Sequence, residues 1–244
     1  MKKFFAIAAM AAMLIACGEP NGGENNGGEN NGGGNTEEPT FVSPIKVDGN
    51  FEDWAGLDAS KVASCVKPEG LVKHDGLVSM KVYADAMNIN VYFEFDDVVI
   101  ADKSSVPVHF YINADNDAST GGGDSIWFDL DEEWLLEGWI FSEGAFCSYD
   151  PGVYPWAGEV GVADWAWGEA VLPDGSNVAS GAGNGNAYEL QIVREMLPFE
   201  LADTFTIGMD IQQNWDSVGY LPCDVMTDEN TEGATNKLVV TVDK

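Results

Sequence analysis

The sequence predicts an all-β protein: an antiparallel β-sandwich, preceded by a signal peptide and a disordered linker. Three observations carry this reading. Apolar and polar residues alternate with a period of two in one segment after another, the pattern of strands with one buried face. No stretch sustains the 3.6-residue period of a long helix; only 53–62 and 194–201 have room for a turn or two. The 204 residues from 41 to 244 are also long enough to bury a substantial core as one domain.

Residues 1–16 come first. Lys2 and Lys3 precede an apolar run from Phe4 to Ile15, about 12 residues and too short to span a bilayer core that needs roughly 20. The ending Leu14-Ile15-Ala16-Cys17 resembles the lipobox of bacterial lipoproteins. That resemblance implies cleavage before Cys17, attachment of lipid with palmitate-type chains to that cysteine, and anchoring to a membrane through it.

The linker occupies residues 17–40. Gly22-Gly23-Glu24-Asn25-Asn26 repeats as Gly27-Gly28-Glu29-Asn30-Asn31 and then decays into Gly32-Gly33-Gly34-Asn35. Such a composition builds no core, so it is expected to stay flexible. A Gly-rich coil of this length has an end-to-end distance of about 26 Å. Glu19, Glu24 and Glu29 behind the cysteine resemble the acidic export tract of Bacteroidetes surface lipoproteins, which implies a surface-exposed place on the outer membrane.

Strands follow. Met80–Ala84 and Ile89–Phe95 flank Asp85–Asn88, which is polar enough for a hairpin turn. In the second of these, Ile89, Val91, Phe93 and Phe95 share a face against Asn90, Tyr92, Glu94 and Asp96. Val106, Val108, Phe110 and Ile112 alternate with His109, Tyr111 and Asn113. Ile126, Phe128 and Leu130 continue the pattern. So do Tyr188, Leu190 and Ile192, then Phe205, Ile207, Met209 and Ile211, and finally Leu238, Val240 and Val242. Each sheet formed this way must bury its apolar face on another.

Composition narrows the function. The chain has 41 acidic and 11 basic residues. Losing Lys2 and Lys3 with the leader takes the formal balance from −30 to −32. A surface this acidic does not follow nucleic-acid phosphates. Anionic lipid repels it too, so membrane attachment falls to the lipid on Cys17. Beyond Cys17 the thiols are Cys65, Cys147 and Cys223. They allow one disulfide with one thiol left over, or none, and their spacing does not choose a pair.

Several pieces fall into one order. Ile45-Lys46-Val47-Asp48-Gly49, with Asp53-Trp54 behind it, opens the domain. Asn90-Val91-Tyr92-Phe93-Glu94-Phe95-Asp96-Asp97 ends a hairpin. Val108-His109-Phe110-Tyr111-Ile112-Asn113 runs into Asp115-Asn116-Asp117, and Tyr188-Glu189-Leu190 and Ile207-Gly208-Met209-Asp210-Ile211 follow. This order resembles the family 9 carbohydrate-binding modules and the wider DOMON-like sandwich group over nearly all of 45–243. The resemblance implies a jelly-roll-like sandwich without catalytic residues, often carrying calcium. Sugar binding in that family uses two tryptophans. Here Ala101–Ser105 has no aromatic where the first should lie, and only Trp215 and Tyr220 follow the Asp210 strand.

Asn113, Asp115, Asp117, Ser119 and Asp124 stand at the first, third, fifth, seventh and twelfth positions of a loop. That is the spacing by which a twelve-residue calcium loop places its oxygens. Hard oxygen donors favour Ca²⁺. Two departures stand against it: Ala118 where such loops have Gly, and the shorter Asp124 where they have Glu. A plain polar turn between strands is the competing account.

Six of the eight tryptophans lie between 127 and 167. Pro151, Pro155 and several glycines break up part of this stretch, which puts rings on loops. Tyr149, Tyr154, Trp156, Trp165 and Trp167 are therefore the candidate ligand-binding residues, since exposed rings stack on sugar C–H faces. Trp156, between Pro155 and Ala157-Gly158, heads the set. Core packing is the competing account for each ring.

Nothing points to an enzyme. Gly123-Asp124-Ser125 resembles a nucleophile block, but Ser125 opens a strand instead of a strand-to-helix elbow, and no helix pattern follows. Some DOMON relatives hold heme through Met and His, for which His109 and Met209 are available here; there is no C-x-x-C-H. The expectation is a non-catalytic lipoprotein that binds glycan. The alternative is a structural or adhesion module contacting a cell-surface protein, without a small ligand.

The anchor has a direct test. Replacing Cys17 with Ser is expected to move the protein from the membrane pellet to the soluble fraction. A variant that still pellets with membranes places the anchor elsewhere.

Overall fold

The computed structural model describes residues 42–97, 99, 103, 106–123, 131–227, 229 and 237–244. They belong to the second of two units, which divide between Thr40 and Phe41. Cys17 and its linker, Asp124, Ser125 and the segment Ile126–Leu130 lie outside the described residues.

The fold is all-β and antiparallel. The first sheet takes β1 (Ala63–Val66), β2 (Leu77–Ala84), β3 (Asn88–Phe95), β10 (Ala187–Val193) and β9 (Ala179–Asn184), in that order across the sheet. The second runs β12 (Asp216–Leu221), β11 (Thr204–Gln213), β4 (Pro107–Asn113), β5 (Trp134–Trp139) and β8 (Gly152–Pro155), and β13 (Leu238–Thr241) pairs with the first half of β11. A small hairpin, β6 (Phe141–Ser142) with β7 (Ala145–Phe146), stands apart. Three short 3-10 turns sit at Asp53–Gly56, Ala59–Lys61 and Arg194–Met196, where the sequence has room for nothing longer.

The predicted hairpin forms. Ala84 pairs with Ile89, and Asp85 closes the turn by accepting from the backbone N–H groups of Met87 and Asn88, both at 2.8 Å. The alternation then decides what faces inward. Val82, Val91, Phe93, Leu190 and Ile192 of the first sheet meet Val108, Phe110, Ile112, Leu136, Ile207 and Met209 of the second in one buried cluster. The sheets are therefore packed face to face as a sandwich. At one edge they touch directly: a side chain on Gly219 would come 2.5 Å from the Leu77 nitrogen, so only glycine lets the two backbones meet there. Cys65, Cys147 and Cys223 are free thiols; burial pushes the Cys65 thiol up to about 12.

Each sheet also has an outer face, and the two are treated differently. On the first sheet, Ile45 and Trp54 pack on Tyr83, Tyr92 and Ala187. The clamp is Glu189 of β10, fully buried. One carboxylate oxygen accepts from the N–H groups of Asp48 (2.9 Å) and Gly49 (2.8 Å), and the other from the Trp54 indole (3.0 Å). This explains why Val47-Asp48-Gly49 and Trp54 open the domain: they are the parts that engage one buried acid.

Glu189→Ala strands three donors, and each buried unpaired donor costs about 1–3 kcal/mol. A loss near 3 kcal/mol is expected, lowering Tm by roughly 6–12 °C for a domain of this size. Glu189→Gln, which keeps part of the set, should lose less. An unchanged melting curve for the alanine variant would mean the clamp does not hold the segment.

Candidate functional site

The outer face of the second sheet carries a row of polar side chains that the register brings together. His109 on β4 stands opposite Asp210 on β11 and opposite Glu137 on β5. Because β4 alternates, Val108 and Phe110 go into the core while His109 and Tyr111 come out on the other side. His109 is nonetheless buried. Its Nε2 lies 2.9 Å from Glu137 Oε2, and its Nδ1 lies 3.3 Å from Gln212 Nε2 and 3.4 Å from the Tyr111 hydroxyl. Asp210, also buried, accepts from Gln212 Nε2 at 2.6 Å and from the Ser217 hydroxyl at 2.5 Å.

Above this row lies a cleft of about 500 Å³ lined by His109, Glu137, Gln212, Tyr154, Trp165 and Trp167, with Trp215 at the rim. The segment after β8 folds back on itself to supply two of the rings. Trp156 pairs with Trp167 as an isolated bridge, Ala157 N–H donates to Ala166 C=O at 2.9 Å, and Gly168 N–H donates to Pro155 C=O at 2.8 Å. Trp165 is 52% exposed and its ring lies 5.8 Å from that of His109. Trp167 packs 6.0 Å from Tyr111, and its indole N–H is buried with no partner among the described residues. Such an orphan donor is expensive unless water or a ligand takes it.

Trp215 comes from another direction. Gln213 pairs with Asp216, leaving Asn214 and Trp215 as a two-residue hairpin loop with φ of 51° and 69°. Both angles are positive, as a type I′ turn requires, and such turns favour Asn-Gly. Asn214 suits its place. A tryptophan at φ 69° is a genuine outlier, and it is 62% exposed. Strain of this kind, about 1–3 kcal/mol, gathers at functional sites.

The candidate rings separate accordingly. Tyr154, Trp165 and Trp167 line the cleft. Tyr149 does not: it is wholly buried, and its hydroxyl is 3.2 Å from both the Val108 and the Leu136 carbonyl oxygens. It belongs to the core, and a ligand does not reach it. Trp156 stands beside the cleft, edge-on to Trp167 at 5.2 Å, with its indole N–H donating to Glu159 C=O at 3.3 Å. Its ring lies so close over Gly122 that a Cβ there would sit 2.3 Å away. Trp156 thus supports Trp167 and does not line the cleft. Trp165 and Trp167 share a face, as their spacing implies, but that face turns to the cleft and not to the sandwich interior. Heme ligation by His109 with Met209 is ruled out by the pleat: Met209 points into the core, His109 to the opposite side of the sheet.

Sequence reasoning missed Glu137 and Gln212, and it met Trp215 only as one of two rings behind the Asp210 strand, outside the candidate set. Glu137 and Gln212 are ordinary polar positions of alternating strands, and only the register makes them neighbours. Trp215 had a signal: Asn-Trp between two strand patterns, where Asn-Gly is the rule.

The Asp115 loop is built differently from an open ion cage. Asp115 accepts from the Asp117 N–H (2.8 Å), while Asp117 accepts from the Ser119 N–H (2.9 Å) and hydroxyl (2.6 Å). Asn113 donates its amide to Asp131 at 2.9 Å, and its oxygen is buried with no partner among the described residues. Lys237 pairs with Asp131 and lies 3.0 Å from Glu132, so a protein cation already serves those acids. Glu133, unforeseen, accepts from Ala114 N–H at 2.7 Å and from the Thr120 hydroxyl at 2.5 Å; that hydroxyl is also 3.3 Å from Asp115. Burial pushes the Glu133 carboxyl above its usual range. No group of three or more His, Cys, Asp and Glu suited to a metal occurs among the described residues. Asp117 and Ser119 are engaged with each other, while Asp115 and Glu133 both reach the Thr120 hydroxyl.

No family model matches the chain, and no curated protein matches it at a significant level.

The calcium expectation has its own check. A ligand at a hundredfold excess over Kd stabilises the native state by about 2.7 kcal/mol, a rise in Tm of roughly 5–11 °C here. Asp115→Ala should erase that response. Identical melting curves in EDTA and in millimolar calcium would remove calcium from the account.

Proposed function

We propose that this protein is a non-catalytic, lipid-anchored surface lipoprotein whose sandwich binds glycan in the cleft over β8, β5, β4 and β11. The observation that carries the reading is the pairing of exposed indoles, Trp165 and Trp215, with a hydrogen-bonding floor of Glu137 and Gln212. Apolar faces beside fixed polar groups suit a pyranose ring, which has C–H faces and a rim of hydroxyls. Binding is favoured over turnover by the floor itself. His109 is held between Glu137, Gln212 and Tyr111, and Glu137 is the one carboxylate among the described residues lining the cleft, where glycosidic hydrolysis canonically uses a pair. A protein-contact module is the second reading. It is supported by Val160, Val162 and Val171, which lie exposed near the same tryptophans in the chain.

The test uses soluble protein carrying Cys17→Ser on a glycan array, with Trp215→Gly beside it. Glycine accepts positive φ freely, so the variant should melt at or above the parent temperature while losing about tenfold or more in glycan affinity, or about 1.4 kcal/mol. A folded variant with undiminished binding would take Trp215 out of the site. A parent protein that binds no glycan would favour the protein-contact reading.

A further inference from the structure

We propose that the cleft selects sugars without negative charge, because its floor offers acceptors and no cation, and that Glu137 is the specificity-determining residue. This rests on the glycan reading above.

The floor of the cleft has few hydrogens to give. Asp210 is buried and, as a carboxylate, only accepts. Gln212 therefore turns its amide nitrogen toward it, at 2.6 Å. The second amide hydrogen of Gln212 then faces His109 Nδ1 at 3.3 Å, which makes Nδ1 the acceptor and Nε2 the donor to Glu137 Oε2 at 2.9 Å. The tautomer follows from this network. With those bonds made, neither His109 nor Gln212 has a hydrogen to offer a ligand. What remains on the floor is oxygen: the second carboxylate oxygen of Glu137 and the amide oxygen of Gln212. Over the floor a ligand must bring the donors, and hydroxyl groups do so; the donors that the cleft itself supplies are uncharged, the Trp167 indole N–H among them.

Charge points the same way. Glu137 is ionisable, and no Lys or Arg lines the cleft among the described residues. Among the described lining residues only His109 could carry positive charge, and its nitrogens already face acids of the fold, Nε2 at 2.9 Å from Glu137 and Nδ1 at 3.7 Å from Asp210. A uronate carboxylate or a sulfate entering here would meet Glu137 with no compensating charge, in a site partly closed by indole rings where screening by salt is weak. The uncompensated acids of the whole chain add to that repulsion at longer range. Amino sugars, which bring N–H donors and positive charge, are admitted by the same logic.

The experiment titrates the Cys17→Ser protein with array spots of four kinds: neutral, amino, uronate-bearing and sulfated glycans. Affinity for the best neutral spot is then compared with that for its C6-carboxyl counterpart, in the parent and in Glu137→Gln. Expected are hits confined to the neutral and amino classes, a loss of roughly tenfold or more on C6 oxidation, and a smaller loss in Glu137→Gln. A folded Glu137→Gln that discriminates as the parent does would clear Glu137 of the role. Uronate or sulfated glycans bound as well as neutral ones would overturn the selectivity while leaving glycan binding intact. No binding to any class would overturn both.

Discussion

Everything at the cleft depends on the pairing of β4 with its two neighbours. The register sets His109 against Asp210 on one side and Glu137 on the other. A slip of one residue would turn His109 into the core and bring Phe110 out, so the burial of Val108, Phe110 and Ile112 holds the polar row in place. Core packing and site geometry are two faces of one strand. The apolar side supplies the stability that fixes the polar side.

The two outer faces show how one architecture serves two ends. On the first sheet, the Ile45–Trp54 segment lies down and a single acid, Glu189, ties it. That face is covered and finished. On the second sheet, the coverings come from the 156–168 segment and the 214–226 region, and they leave a gap between them. Irregular chain is used there because loops can present large rings at angles that strands cannot. The indoles are in turn braced: Trp167 by Trp156 and Tyr111, Trp215 by Trp139.

Much of the fold was legible because a period of two is a local property. Ile89–Phe95, Pro107–Asn113 and Thr204–Gln213 could be recognised from their own residues, and so could the Asp85 hairpin. The site was less legible because it is made of pairings. Tyr149 and Tyr154 sit five residues apart in a stretch of similar composition, yet one lies in the core and the other in the cleft. Only the path of the chain after β7 decides that. Trp156 was drawn to attention by its Pro and Gly neighbours, and one of them, Gly158, lies against its ring together with the distant Gly122. Glu133 escaped notice because it reaches the Asp115 loop from across a chain segment and not from within the loop.

The turn at Asn214-Trp215 carries a consequence for how this chain can vary. At a φ of 69°, most side chains pay the same backbone penalty as tryptophan and offer a ligand far less. Glycine and asparagine escape the penalty but offer no ring. Drift at position 215 is thus two-valued: an aromatic kept by selection for contact, or a reversion to the residue the turn prefers. Intermediate choices lose on both counts. Among descendants of this sequence, that one position would record whether the cleft is still in use.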